Sequence, residues 1–332
     1  RVRTLLADDT EFRFKAGETF SVDEEIVITE SNVVIGAYGN GNRPILRWTG
    51  TGGPRYKRFF DLQKSSSNVT VRDLTFDSIF SGHTEKEGVP DAFRVGGTNF
   101  AVVNCEIRNI CYFVNNEAKP TGVLVQDNTS PLRTGLRAYL SYVVGTDHVI
   151  IGNKVVNSTR EHGVRADGAY RVLIAHNDLA NIAEGRPGDT VDIMKQPITV
   201  HWGSDFYIHA NDTHGGRVEI GPLGQGDGSR PYSINQRLQT VVIDSNRFFF
   251  GPYQRLEIDH GTSGVMIRGN QISAPTGAGI AIEAMAKYTR WPEYGDRNVS
   301  NVWITSDNII RAASRVSIGR GATNINVAQP AA

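Results

Sequence analysis

Apolar and polar residues alternate along this chain in short bursts, and the bursts are copies of one another. One template, apolar-x-apolar-x-x-Asn-x-apolar, is filled by Val172, Ile174, Asn177 and Leu179, by Val241, Ile243, Asn246 and Phe248, and by Val265, Ile267, Asn270 and Ile272. His148, Ile150, Asn153 and Val155 fill it too, and Phe206, Ile208 and Asn211 do so with Thr213 in the last slot. Val302, Ile304, Asp307 and Ile309 fit with Asp for Asn; Phe100, Val102, Cys105 and Ile107 fit with Cys; Val69, Val71, Leu74 and Phe76 fit with Leu. Alternation of period two predicts short strands, half-buried, with every second side chain turned inward. The Asn slot predicts a bend, where its side chain bonds backbone groups and its backbone tolerates a left-handed conformation. Successive slots fall at 74, 105, 153, 177, 211, 246, 270 and 307, so the shortest steps are 24 residues and the longer ones carry insertions. A second strand follows most copies: "HGVRADG" at 162–168, "PITVHWG" at 197–203, "GRVEIGP" at 216–222, "QRLEIDHG" at 254–261, "GAGIAIEA" at 277–284 and "SRVSIGRG" at 314–321.

Two or three short strands per repeat with no helical period between them describe the coil of a parallel β-solenoid. No such coil closes a core alone; stacking does. A β-sandwich of irregular strands is the alternative, but it does not explain one bend residue recurring in register. The pattern resembles the right-handed parallel β-helix superfamily, the pectate-lyase-like fold, over residues 30–327. The resemblance implies an all-β, single-domain chain. Residues 1–30, with "FRFKAGETFSVDEEIVIT" at 12–29, would be the opening and cap segment, 31–327 the coils, and 328–332 a loose tail.

Composition narrows the partners. Lys plus Arg number 35 and Asp plus Glu 35, so the chain has no overall field to gather nucleic acid or coat an anionic membrane. No apolar run approaches the roughly 20 residues of a membrane span. Two cysteines, Cys105 and Cys111, are too few for a disulfide framework and are expected as buried thiols. The chain begins at Arg1 without a methionine, from which we expect a secreted or periplasmic monomer with its leader removed.

Residues from distant coils line up on a β-helix wall at about 4.8 Å spacing. Aligned on the second strands, the outward row reads Arg165 and Asp167, Thr199 and His201, Glu219, Glu257 and Asp259, Ala281 and Glu283, then Ser317. Arg160, His162 and Arg165 cluster within six residues, and five of the eight histidines lie between 160 and 215. A local basic cluster on a neutral protein, beside an elongated groove, suggests an acidic, uronate-containing polysaccharide. Segments 112–137, 182–197 and 222–238 are expected as loops walling that groove. Trp202, Tyr139, Tyr142, Tyr232 and Tyr253 are candidates to stack on sugars or to pack within the loops.

Cleavage of a uronan by β-elimination needs a cation on the carboxylate, a base for the adjacent proton and an acid for the leaving oxygen. Arg165 and Arg217 are the candidate clamps, since a guanidinium holds a carboxylate in plane. His162 or His201 is the candidate base, with Lys195 the alternative; Tyr142 or Tyr170 is the candidate acid. Arg160, Trp202, His214, Arg217, Glu219, Tyr139, Glu257 and Tyr253 complete the expected substrate-binding set. This set resembles polysaccharide lyases of the β-helix class, alginate lyases included. No cofactor is expected, although calcium-dependent relatives imply that Glu219, Glu257 and Asp259 could hold Ca2+. Three other readings stand beside elimination. A C5-epimerase of the same fold would carry an Asp-Pro-His-Asp string, absent here. An inverting hydrolase would use two of Glu219, Glu257 and Asp259, although the Asn-Thr-Asp and Arg-Ile-Lys strings of polygalacturonase-like proteins are absent. A non-catalytic, tailspike-like binding solenoid would have the groove alone.

Overall fold

The computed structural model describes residues 6–50, 57–79, 89–130, 139–156, 162–180, 196–221, 237–252, 254–282, 298–319 and 321–328. These form one 29-stranded parallel sheet wound into a solenoid, with no helix among the described residues. Each coil contributes to three walls in fixed order. In the first coil these are Glu11–Lys15 for wall one, Thr19–Val22 for wall two and Ile26–Ile28 for wall three. They pair in parallel with Ser31–Tyr38, Ile45–Trp48 and Arg58–Leu62 of the next coil, so the opening segment already forms a coil. In Ser141–Ile151, Val164–Ala175 and Ile198–His209 one long strand serves wall three and then wall one of the following coil. The register shifts within these strands, where the chain bends.

Inward positions stack by type. Val143, Ala166, Val200, Ile220, Ile258 and Ile282 form one continuous inward column of wall three, all but fully buried except for Ile282's neighbour at the end of the stack, Ile318. Removing such apolar surface from water is worth about 25 cal/mol per Å2, and here each coil supplies the lid for the one before it. Phe60, Phe76, Phe93, Phe100 and Phe113 pack in the N-terminal half with ring centroids 5.0–6.1 Å apart. Cys105 and Cys111 are buried free thiols.

The Asn slot is a hydrogen-bond ladder. The Oδ1 of Asn153 accepts from the backbone N and Nδ2 of Asn128, and the same pattern joins Asn153 to Asn177, Asn177 to Asn211, Asn211 to Asn246, Asn246 to Asn270 and Asn270 to Asn308. Each Nδ2 also donates to a carbonyl of the preceding coil, such as that of Ile174 for Asn211 at 2.8 Å. A buried amide thus supplies the rung that the bent backbone cannot.

Three sequence expectations change. The left-handed residue is the one before the slot, as at Asn104, Asp127, Gly152, His176, Ala210, Ser245 and Gly269. At the last bend the rung is Asn308, not Asp307, because the turn takes one more residue; Ile310 rather than Ile309 then pairs with Ile272. Residues 112–130 are not a loop: Val114–Asn115, Thr121–Gln126 and Thr129–Ser130 are the strands of a full coil, and its Asn128 bonds the backbone N of Cys105 at 2.9 Å. Of the expected loops at 182–197 and 222–238, residues 182–195 and 222–236 lie outside the described residues, and Leu238 already begins a strand.

Candidate functional site

On the outer face of wall three, register pairing aligns Asn115, Tyr142, Arg165, Thr199, Glu219, Glu257, Ala281 and Ser317 in one row. Arg165 and Glu219 are therefore two coil steps apart, about 10 Å. The row divides into two polar clusters.

The first is centred on Asp167. Its Oδ2 accepts from Tyr142 Oη and from Arg165 Nε, each at 2.9 Å, and its Oδ1 lies 2.5 Å from His201 Nδ1. An ionised carboxylate only accepts, so His201 Nδ1 donates to it. Burial works to raise the Asp167 carboxyl, but the His201 bond and the charges of His201 and Arg165 outweigh it and hold the group below its usual range. Burial, then the Asp167 charge, pushes the Tyr142 hydroxyl up, so it keeps its proton. Arg165 also donates to Tyr139 Oη at 3.4 Å and lies 5.7 Å from the Tyr142 ring centroid. Tyr112, Tyr139 and His162 stack beside it at 4.7 and 5.6 Å, and His162 Nδ1 meets Thr199 Oγ1 at 2.9 Å.

The second cluster holds three carboxyls on two adjacent coils. Glu219 and Glu257 are register partners and are almost wholly buried. Arg217 spans them, 2.9 Å from Glu257 Oε2 and 3.4 Å from Glu219 Oε2, and Arg255 reaches Glu257 Oε1 at 3.4 Å. Gln196 Nε2 donates to Glu219 Oε2 at 2.6 Å. Asp259, two residues beyond Glu257, leans over Gly221: a Cβ added there would come within 2.7 Å of Asp259 Cβ. Only glycine, at φ +139°, lets the two chains approach so closely. Asp259 consequently meets Glu219. Burial first, then the charges of Glu257 and Glu219, raise its carboxyl well above the ordinary range.

Wall three thus gathers Tyr139, Tyr142, His162, Arg165, His201, Arg217, Glu219 and Glu257, with the Trp202 ring packed on Gly168 at its edge. Two expected residues stand elsewhere. Tyr170 is on wall one, 40% exposed, between Thr146 and Ser204, because the bend at Gly168 intervenes. His214 is on wall two, 3.0 Å from Asp212 Oδ1 and stacked on Phe249. Arg160, Lys195 and Tyr253 lie outside the described residues. Gln196 was not anticipated; it sits at the edge of what reads as a loop and carries no sequence signal. The acids do not suit Ca2+, since the Arg217 guanidinium occupies the position between Glu219 and Glu257 that a cation would take.

No family model matches the sequence, and no curated protein sequence matches it. Solved structures do resemble it. The Dettilon tailspike protein superposes with a TM-score of 0.61 at 11% identity, over 93% of this chain and 61% of that one. The catalytic domain of a GH87 α-1,3-glucanase gives 0.55 at 12%, over 94% and 64%. The Streptococcus pneumoniae surface protein and adhesin PfbA gives 0.50 at 10%, over 96% and 90%. The chain spans less than two thirds of the first two proteins, and at such identities the likeness is one of fold. The chain is a single-domain right-handed parallel β-helix.

Proposed function

We infer that wall three is the active site of a secreted, polysaccharide-cleaving enzyme, and that it cleaves by hydrolysis. The observation that carries this is the Glu219–Asp259 pair, two carboxyls in contact on neighbouring coils, where burial and the charges of Glu257 and Glu219 raise Asp259 above the ordinary range. Acetal hydrolysis needs a proton donor for the leaving oxygen and a base for water, and environments that push two carboxyl groups apart in acidity supply both. Asp259 gives its proton to the glycosidic oxygen as the bond to the anomeric carbon breaks. Glu219, oriented by Gln196, takes a proton from the water that bonds that carbon. Inverting hydrolysis places about 6.5–9.5 Å between the two carboxyls, so the Asp259–Glu219 contact must open on substrate binding; the proton returns from Glu219 to Asp259 once product leaves.

Elimination has less support. Among the described residues, the guanidinium groups of the two clusters already face carboxylates: Arg165 faces Asp167, Arg217 faces Glu219 and Glu257, and Arg255 faces Glu257. One observation favours it as a second reading: His201 and Tyr142, a base and an acid, share Asp167. Incubation with neutral and uronate polysaccharides decides between the two. New reducing ends without the ultraviolet absorbance of an unsaturated uronate, lost in Asp259→Asn, support hydrolysis. Absorbance that survives in Asp259→Asn but not in His201→Gln overturns it in favour of elimination, and binding without cleavage overturns both.

A further inference from the structure

Among the buried polar atoms of this wall without a hydrogen-bond partner are His201 Nε2, Glu219 Oε1 and Gln196 Oε1. Their residues are 3%, 0% and 5% exposed. Leaving a buried polar atom unpaired costs about 1–3 kcal/mol, so three in one place mark a position that something polar fills. The three are neighbours. Gln196 is bonded to Glu219, and His201 lies two residues along the same strand from Thr199, the register partner of Glu219, on the same outward face.

All three present lone pairs. Gln196 spends its amide NH2 on Glu219 Oε2, which leaves its carbonyl oxygen outward. Glu219 is a carboxylate oxygen. Carrying its proton on Nδ1 alone, against Asp167, the His201 ring would offer a bare Nε2. A set of acceptors that includes a carboxylate repels carboxylates and takes hydrogen-bond donors.

We propose that Gln196, His201 and Glu219 form a donor-reading subsite that grips the hydroxyl edge of a neutral sugar ring, so that the substrate is a neutral glycan and not the polyuronate that the basic residues suggest. The proposal rests on wall three being the glycan site and names the class of glycan it takes. Each hydroxyl donates to one acceptor, and the Arg165 and Arg217 charges remain neutralised by Asp167, Glu219 and Glu257.

The test uses the full chain carrying Asp259→Asn, to hold substrate uncut, titrated calorimetrically with neutral oligosaccharides (glucans, mannans, galactans, xylans) and with oligosaccharides of alginate, polygalacturonate and glucuronan. At least one neutral series binds, and Gln196→Leu and His201→Phe each weaken it about tenfold or more. Preference for a uronate series, binding indifferent to both substitutions, or no binding at all overturns the proposal. Nitrogen-15 correlation spectra of the His201 ring in the otherwise unaltered protein give a second reading that no folding defect affects. A proton on Nδ1 and none on Nε2 at neutral pH is expected, and a proton on Nε2 overturns the acceptor assignment. Neutral glycan bound by the unaltered protein without new reducing ends would instead sink the hydrolytic reading and leave the subsite standing.

Discussion

Asp167 and His201, 34 residues apart in sequence, face each other across one coil step with 2.5 Å between carboxylate oxygen and ring nitrogen. Neither is meaningful alone: the carboxylate is buried, and the ring's orientation is set by it. His201 and, after it, Arg165 make this burial tolerable. Breaking a buried ion pair by removing one partner costs about 3–5 kcal/mol, because the charge left behind is uncompensated. Arg165→Ala should therefore lose stability on that order in chemical denaturation, in addition to any loss of turnover. A variant of unchanged stability would place Asp167 in a better-solvated setting than the structure shows.

Asp259→Asn should abolish hydrolysis, by about 100-fold or more if Asp259 is the general acid. It should also make the protein more stable at neutral and alkaline pH. The folded-state carboxyl binds its proton more tightly than the unfolded chain does, so Asp259 costs stability as pH rises from the usual carboxylate range through its raised value. Thermal melts of both proteins across that range measure the difference. The curves should converge at acid pH, where Asp259 is protonated in both states.

His148 makes the opposite contribution. Burial lowers its pKa from 6.5 to about 4, its ring lying 3.1 Å from the Val144 carbonyl. The unfolded chain binds a proton that the folded one refuses between those values, so stability is present above pH 6.5 and lost as pH falls toward 4. The loss is of order 3 kcal/mol. Urea denaturation at both ends of the window should show it, and His148→Gln should flatten the dependence.

The ladder predicts a contrast between adjacent residues. Asn308 accepts from the backbone N and Nδ2 of Asn270 and donates to Ile267, whereas the exposed Asp307 accepts from the nearby Thr305 side chain and the Gly269 backbone. Asn308→Ala should cost about 2 kcal/mol or more through unpaired buried groups, and Asp307→Ala about 0.5 or less. Equal effects would put the rung back at position 307.

Much of this architecture is written locally. Period-two alternation places Val172 and Ile174, or Val241 and Ile243, inward whatever surrounds them, because successive side chains of a strand alternate faces. From Asn128 onward, an amide-bearing residue at the bend marks each rung. The coil at 112–130 was legible as well: Val123, Val125 and Asn128 fit the template, but Pro120, Gly122 and the Asn pair at 115–116 imitate a loop. Counting failed at 307, since periodicity fixes which face a residue takes within a strand and not how many residues a turn consumes.

The outward row of Arg165, Thr199, Glu219 and Glu257 follows from the same counting. What that row can do does not. Whether Arg165 and Arg217 are clamps or counter-ions, whether Asp259 carries a proton and which nitrogen His201 turns outward depend on distances between coils 30 to 40 residues apart in the chain. Burial and through-space charge set acidity and hydrogen-bond roles, and both are properties of neighbours brought together by stacking. By itself the sequence determined the strands, the bends and the shared face; the tertiary structure decided which charges cancel, and so which chemistry remains.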